Sequence, residues 1–238
     1  MNKHKFYEFK NVAENEYSLY VYGEIVSEKW FDSEVDVSDF KQALADIPIG
    51  AKLNMYVNSP GGNVFATSAM VSMLQRAKAK GIAIDAYIDG LSASCASWLV
   101  MVADNINIYK NSVMMIHKPM IASYGNANDL LKDIEVLDKI EDGVIIPIYE
   151  AKAKCDRKKL KDMMTAETWL TAGEIQEHFN VNLIDEEKKV ENIKSDLFNT
   201  YKNTPTEFKQ EKKPAPKQEE PIDYSEFEKI IESMKGGK

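Results

Sequence analysis

The sequence predicts an α/β fold, and three observations predict it. Between residues 17 and 200, alternating apolar side chains give way repeatedly to helical spacing. Turn-forming residues mark the changeovers, as in Asn58-Ser-Pro-Gly-Gly62 and Asp89-Gly90. Strand, helix and strand in repetition call for parallel pairing with right-handed crossovers.

In chain order, Tyr17, Leu19 and Val21 alternate along a strand running toward Gly23, and Leu53, Met55 and Val57 do so before SPGG. Residues 65–80 read as a helix, with Ala66, Ala69, Met70, Met73, Leu74 and Ala77 on one face. Residues 82–88 read as a strand ending at Asp89-Gly90, followed by the small-residue run LSASCAS and an apolar helix, WLVMVA. Short strands are expected at 105–109 and 113–116. A long helix is expected over about 126–152, with Leu130, Ile134, Leu137 and Ile140 on a buried face and a kink or break at Pro147. Thr171-Ala-Gly-Glu174 opens a further helix with a capping-box pattern.

Composition narrows the function. The 238 residues are 44% hydrophobic and 29% charged, ordinary for a globular chain. The net charge of −8 and the lack of a basic, aromatic-studded stripe argue against nucleic acid as a partner. No stretch approaches the ~20 apolar residues of a membrane span. Met1 to Lys10 is polar with no apolar h-region, so secretion is not expected, and Cys95 and Cys155 form no disulfide framework or metal spacing. A cytoplasmic protein is expected, with no metal or cofactor and no phosphate-binding loop.

Composition also changes near Tyr201. Residues 201–221 are rich in Lys, Glu, Gln and Pro and read as a disordered linker. Beyond it, over 222–238, Phe227, Ile230, Ile231 and Met234 make one stripe of a short amphipathic helix. Residues 201–238 carry eight acidic and eight basic side chains, so residues 1–200 hold the whole net charge. A cut after Tyr201 is expected to leave the fold and small-peptide hydrolysis intact.

Three segments contain chemistry-bearing residues. In Gly90-Leu-Ser-Ala-Ser94-Cys-Ala-Ser97, small residues at a strand-to-helix turn place a hydroxyl at a helix N-terminus, where amides favour an oxyanion. Such serines also serve as helix caps; Ser92 is well placed to be one, and Ser97 to pack inside the helix. Met114-Met-Ile-His117-Lys-Pro119 ends an apolar strand on a histidine, a structural position or a general base. The other histidines are His4, in the polar N-terminus, and His178, at a helix end. If the chemistry is Ser–His, His117 is the base. In Asn58-Ser-Pro-Gly-Gly62-Asn-Val64, paired glycines permit a plain turn or the close approach of a substrate backbone.

Taken together, SPGG, helix, strand, G-x-x-A-S, helix and M-I-H-x-P resemble the ClpP family of self-compartmentalising serine peptidases from about residue 17 to residue 188. The GLSAS and ETWLTA forms are similar to prophage-encoded members, among them head-maturation proteases. The resemblance implies a ClpP/crotonase-like fold of repeated strand–helix units with a protruding long-helix handle, over a domain spanning residues 1–200. It places Ser94 on the nucleophile and His117 on the histidine, with the backbone amides of Gly62 and Cys95 on the oxyanion hole. Glu167 falls on the third triad position, where housekeeping members have aspartate, and Asp162 is the nearest other acid. It further implies a homo-oligomeric ring, stacked face to face through the segment after His117 and the long helix, acting on polypeptide substrates.

Two departures bear on partners. Only about sixteen residues precede the first expected strand, which puts docking of a Clp ATPase in doubt. The linker and C-terminal helix are also foreign to the housekeeping enzyme. Both suit phage capsid or scaffold maturation. The rivals are an ATP-dependent proteolytic subunit working with an unfoldase, an inactive capsid-assembly module, and an acyl-CoA hydratase or isomerase of the same superfold. The last would not need both Ser94 and His117.

Overall fold

The computed structural model describes residues 7–26, 37–190 and 193–208. His4, residues 209–221 of the expected linker and the expected helix over 222–238 lie outside the described residues. Eight strands form one sheet: β1 (Tyr7–Ala13), β2 (Glu16–Tyr22), β3 (Lys52–Ser59), β4 (Ala83–Ala93), β5 (Asn105–Tyr109), β6 (Val113–Ile116), β7 (Thr168–Thr171) and β8 (Asn182–Ile184). The main path runs β1-β2-β3-β4-β5-β8, with β6 and β7 branching off β4. Pairing is parallel throughout the centre, as the strand–helix alternation requires, and antiparallel at β1–β2 and β6–β7. The sheet and its helices give the α/β, ClpP-like architecture that was expected.

The alternation of β3 and β4 explains both faces of the sheet. Leu53, Met55, Val57, Ile84, Ala86 and Ile88 are buried in the core. On the opposite side, Tyr20, Tyr56 and Tyr87 are neighbours in register and stack at 4.9 and 5.0 Å between ring centroids. Helix α1 spans Val37–Ala45, and α2 (Val64–Ala79) covers the core face with Ala66, Met70, Leu74 and Ala77. The N-terminus of α2 is capped by Asn63, whose Oδ1 accepts the Ala66 N–H at 2.8 Å. Helix α3 is Cys95–Val100, and all six of its residues are buried.

Four expectations require correction. Tyr7–Ala13 pairs with β2 as an edge strand, so the first strand begins ten residues earlier than the apolar alternation suggests; its polar residues face outward, hiding the period. β4 does not end at Asp89-Gly90 but continues to Ala93, because Leu91, Ser92 and Ala93 gain a second partner in β6. The long helix breaks near Pro147, as expected, into α4 (Ala127–Ile140), a π turn (Glu141–Ile145) and α5 (Ile146–Glu150), and it is the buried face that requires correction. Pro147 lies in the first turn of α5, where its missing N–H cannot serve the preceding turn and the widened π turn absorbs the mismatch. No residue of α4 is buried, and Leu130 and Ile134 are 41% and 54% exposed. Only Ile140 of the expected stripe packs against the core. Helical period marks a face without saying what covers it.

Helices α6 (Arg157–Thr165) and α7 (Ala172–His178) flank β7, and the Thr171–Glu174 capping box forms as expected. The fourth correction concerns the boundary at 200. The chain runs on through two 3₁₀ turns, Asp196–Asn199 and Thr206–Phe208, with Phe198, Tyr201 and Thr204 buried. Phe208 stacks on Trp169 and Phe198 at 5.6 and 5.5 Å. These aromatics, with Leu91, Ala93 and Met115, form a second small core. A cut after Tyr201 would therefore remove packed residues.

Candidate active site

Sheet register builds the site. β4 pairs first with β5, over Asp85–Ile88, and then with β6, over Leu91–Ala93. The last register pair, Ala93 with Met115, brings the end of β4 beside the end of β6. The Ser94 N–H closes this ladder on the Met115 carbonyl at 2.9 Å. Because β6 pairs antiparallel with β7, Ile116 opposite Thr168, the next residue on each strand, His117 and Glu167, also comes together.

Ser94 turns the chain from β4 into α3 with φ 53° and ψ −131°, a conformation costing a non-glycine residue about 1–3 kcal/mol. It occupies the N-cap position but its side chain makes no capping bond. The hydroxyl instead lies 2.7 Å from His117 Nε2. Ser92, the expected cap, lies within β4, fully buried, which corrects that assignment; the strand's extension carried it out of the turn. Ser97 packs inside α3 as expected, its Oγ 2.5 Å from the Ser94 carbonyl and from Tyr149 Oη.

The paired glycines take the positive φ that was expected to be open to them, and what approaches them closely is the chain's own backbone and Ser94. A Cβ on Gly61, at φ 97°, would meet Ser94 Cβ at 2.6 Å and the Ala93 carbonyl at 2.8 Å. One on Gly62 would meet the Ile25 carbonyl at 2.1 Å. The loop is tied to the chain after β2 by Ile25 N–H to Gly61 O and Asn63 N–H to Ile25 O, each 2.8 Å. The Gly62 and Cys95 amides and the Thr67 hydroxyl neighbour the Cys95 thiol and favour its charged form. Burial pushes that thiol up to about 12, so it is a packing group rather than a nucleophile. Gly62, Ser94, Cys95 and His117 line a single cleft of about 160 Å³.

Glu167 is buried, and its Oε2 lies 4.0 Å from His117 Nδ1, an ionic contact longer than a hydrogen bond. It too has positive φ, 49°. Asp162, the other acid considered, pairs instead with Lys158 at 2.7 Å on the exposed side of α6. His117 is nearly enclosed. Burial is the largest influence and lowers its pKa; Glu167 acts upward and Lys202 downward. Among the described residues, no group of three or more His, Cys, Asp or Glu side chains converges as metal ligands would.

Sequence reasoning missed the segment that closes the site. Leu197 and Tyr201 line the cleft, and the Tyr201 ring meets the His117 imidazole edge to face at 5.2 Å. Tyr201 Oη donates to the Pro60 carbonyl at 2.6 Å and neighbours the Ser94 hydroxyl. The one available signal was the apolar spacing of Leu197, Phe198 and Tyr201, set against a polar, charged neighbourhood.

A family model described as Clp protease matches residues 41–198, well over half of the chain. An ATP-dependent Clp protease proteolytic subunit of Bacteroides fragilis is 27% identical over 145 residues, covering 60% of this chain and 67% of the relative. The proteins of Salinibacter ruber (proteolytic subunit 1) and Deinococcus radiodurans (proteolytic subunit) are each 27% identical, over 148 and 137 residues, with 60% and 64% of the relative covered. The matches span roughly three-fifths to two-thirds of these relatives, and residues 41–198, which the family model covers, include Gly62, Ser94, His117 and Glu167. The chain belongs to the Clp protease family.

Proposed function

We propose that this chain is a serine endopeptidase that hydrolyses peptide bonds within a homo-oligomeric ring. Ser94 is the nucleophile. Its hydroxyl proton passes to His117 Nε2 as Oγ bonds to the peptide carbonyl carbon, and His117 then returns that proton to the leaving amine. Water attacks the acyl-enzyme in the mirror sequence, with His117 again as base. The Gly62 and Cys95 amides stabilise the tetrahedral oxyanion. Glu167 orients the imidazole and stabilises its protonated form. The observation that carries this reading is the 2.7 Å contact between Ser94 Oγ and His117 Nε2 at a serine held in strained backbone.

Fluorophosphonate labelling, paired with hydrolysis of a fluorogenic peptide, tests the reading. Both signals should vanish in Ser94→Ala and persist in Ser92→Ala. A folded wild-type protein that neither labels nor cleaves would point to an inactive assembly module.

The exposed apolar residues of α4, Leu130, Leu131, Ile134 and Val136, support an oligomer in which another copy covers them. Within this reading the substrate is a phage capsid or scaffold protein, a role supported by the GLSAS and ETWLTA segments. A second reading has its own support: relatives are named as ATP-dependent proteolytic subunits. Under it, a Clp ATPase delivers unfolded chains to the ring. Degradation of a folded substrate that requires both ATP and the ATPase selects the second reading; cleavage of capsid or scaffold protein without ATP selects the first.

A further inference from the structure

Glutamate at the third triad position carries one more rotatable bond than aspartate, and every free rotamer dilutes the orientation that an imidazole needs. Glu167 also sits in a strained two-residue turn, Ala166-Glu167, between α6 and β7. Something must hold both the turn and the carboxylate, and the described contacts identify it. The Asn203 backbone N–H donates to Glu167 Oε1 at 2.6 Å. Asn203 Nδ2 donates to the carbonyls of Ala166 and Glu167 at 2.7 and 3.2 Å. One residue, 36 positions along the chain, thus makes three bonds to the turn.

Asn203 is itself fixed from both sides. Thr204 Oγ1 donates to the Phe198 carbonyl at 2.7 Å, and Phe208 is stacked on Trp169. Upstream, Tyr201 is bonded to Pro60, and Ser195 Oγ donates to Glu24 Oε2 at 3.0 Å. The segment therefore crosses the cleft from the glycine loop to the acid turn, with Asn203 at the far anchorage.

We propose that Asn203 is a positioning residue for Glu167, its three bonds directing Oε2 toward His117 Nδ1; this rests on the reading of Glu167 as the triad acid. Among the described residues, four groups face His117: Ser94 at Nε2, Glu167 at Nδ1, and Tyr201 and Lys202 from the same segment as Asn203. Of these, Glu167 alone favours the imidazolium by charge. Loosening the turn therefore removes the charge that supports protonated His117, and the His117 titration should move to lower pH.

The test uses the full chain and a fluorogenic peptide across a pH series. Asn203→Ala should lower kcat by about 10- to 100-fold with KM unchanged, and the acid limb of kcat/KM should move to lower pH. Thr204→Ala loosens one anchorage of Asn203 while leaving its three bonds to the turn available, and should move the limb in the same direction by clearly less. In a Glu167→Gln background, Asn203→Ala should have no further effect on kcat. If Glu167→Gln is impaired while Asn203→Ala keeps wild-type kcat and acid limb, the positioning role is overturned and the triad reading stands. If both variants keep wild-type behaviour, the assignment of Glu167 falls, and the role of Asn203 with it. A Thr204→Ala shift equal to that of Asn203→Ala also overturns the proposal, because general loosening would then suffice. NMR titration of the His117 ring proton reads the same quantity without turnover: a lower midpoint in Asn203→Ala supports the proposal and an unchanged one overturns it. Should Asn203→Ala fail to fold, Asn203→Ser, too short to reach both carbonyls, takes its place in every measurement.

Discussion

Ser94 and Glu167 both sit at sheet ends with positive φ, 53° and 49°, yet the molecule holds them by different means. Ser94 is enforced by its immediate surroundings. The β4–β6 register ends on it, α3 begins after it, and Gly61 lies so close that no side chain fits between them. Glu167 is one residue off the β6–β7 register and depends on Asn203, from a segment outside the sheet. Strain at Ser94 is thus built into the core, whereas strain at Glu167 is secured by a single strap. The first site should tolerate almost no change, and the second should be adjustable.

The largest effect tests the nucleophile. Ser94→Ala should reduce peptide turnover by about 10⁴- to 10⁶-fold while circular dichroism and thermal melting stay near wild type. Residual turnover at the wild-type level would remove Ser94 from the mechanism.

The acid should rank next. Glu167→Gln should lower kcat by about 10²- to 10⁴-fold, since an amide neither supports imidazolium nor selects the productive tautomer. Asp162→Asn should stay near wild type, because Asp162 is exposed and paired only with Lys158. The reverse ranking in the same assay would move the acid to Asp162 and dissolve the contrast between the two turns.

The contrast sharpens on stability. Gly61→Ala places a Cβ against Ser94 at a φ of 97°, and should cost about 2–4 kcal/mol in denaturant unfolding. Asn203→Ala should cost no more than about 1–2 kcal/mol, the scale of exchanged hydrogen bonds. Equal losses would mean that the strap belongs to the core as fully as the glycine loop does.

The smallest effect is on pH. Burial holds His117 below its ordinary 6.5 in the folded chain. The unfolded state therefore binds the proton more readily between those two values. The contribution of His117 to stability is complete above about 6.5 and is lost as pH falls through the folded value. Peptidase activity, which needs the neutral imidazole, should likewise persist below 6.5 before failing on the acid side. A kcat/KM limb above 6.5 would contradict the enclosed environment of His117.

Much of this was legible beforehand, and the reason is local chemistry. Alternation in Leu53–Val57, the stripe of α2, the capping box at Thr171 and the small residues around Ser94 are short-range patterns that physical rules convert directly into elements. β1 was hidden because an edge strand needs no apolar period, and the extension of β4 because Gly90 reads locally as a stop. Along α4, the apolar spacing located a face correctly but could not say that the described residues leave that face uncovered.

What the sequence alone determined is the set of residues able to do the chemistry: Ser94 and His117, with glycines at 61 and 62 where backbone must approach backbone. What only the tertiary structure decided is how the set is assembled. The β4–β6–β7 branching brings residues 94, 117 and 167 together, and a polar segment with the composition of a linker folds back to place Tyr201 and Asn203 on them. The physical reason is that the Glu167 carboxylate is held by the Asn203 backbone N–H, a group every residue but proline possesses, and that the two Asn203 side-chain bonds go to backbone carbonyls, so no local pattern of side-chain types announces the role.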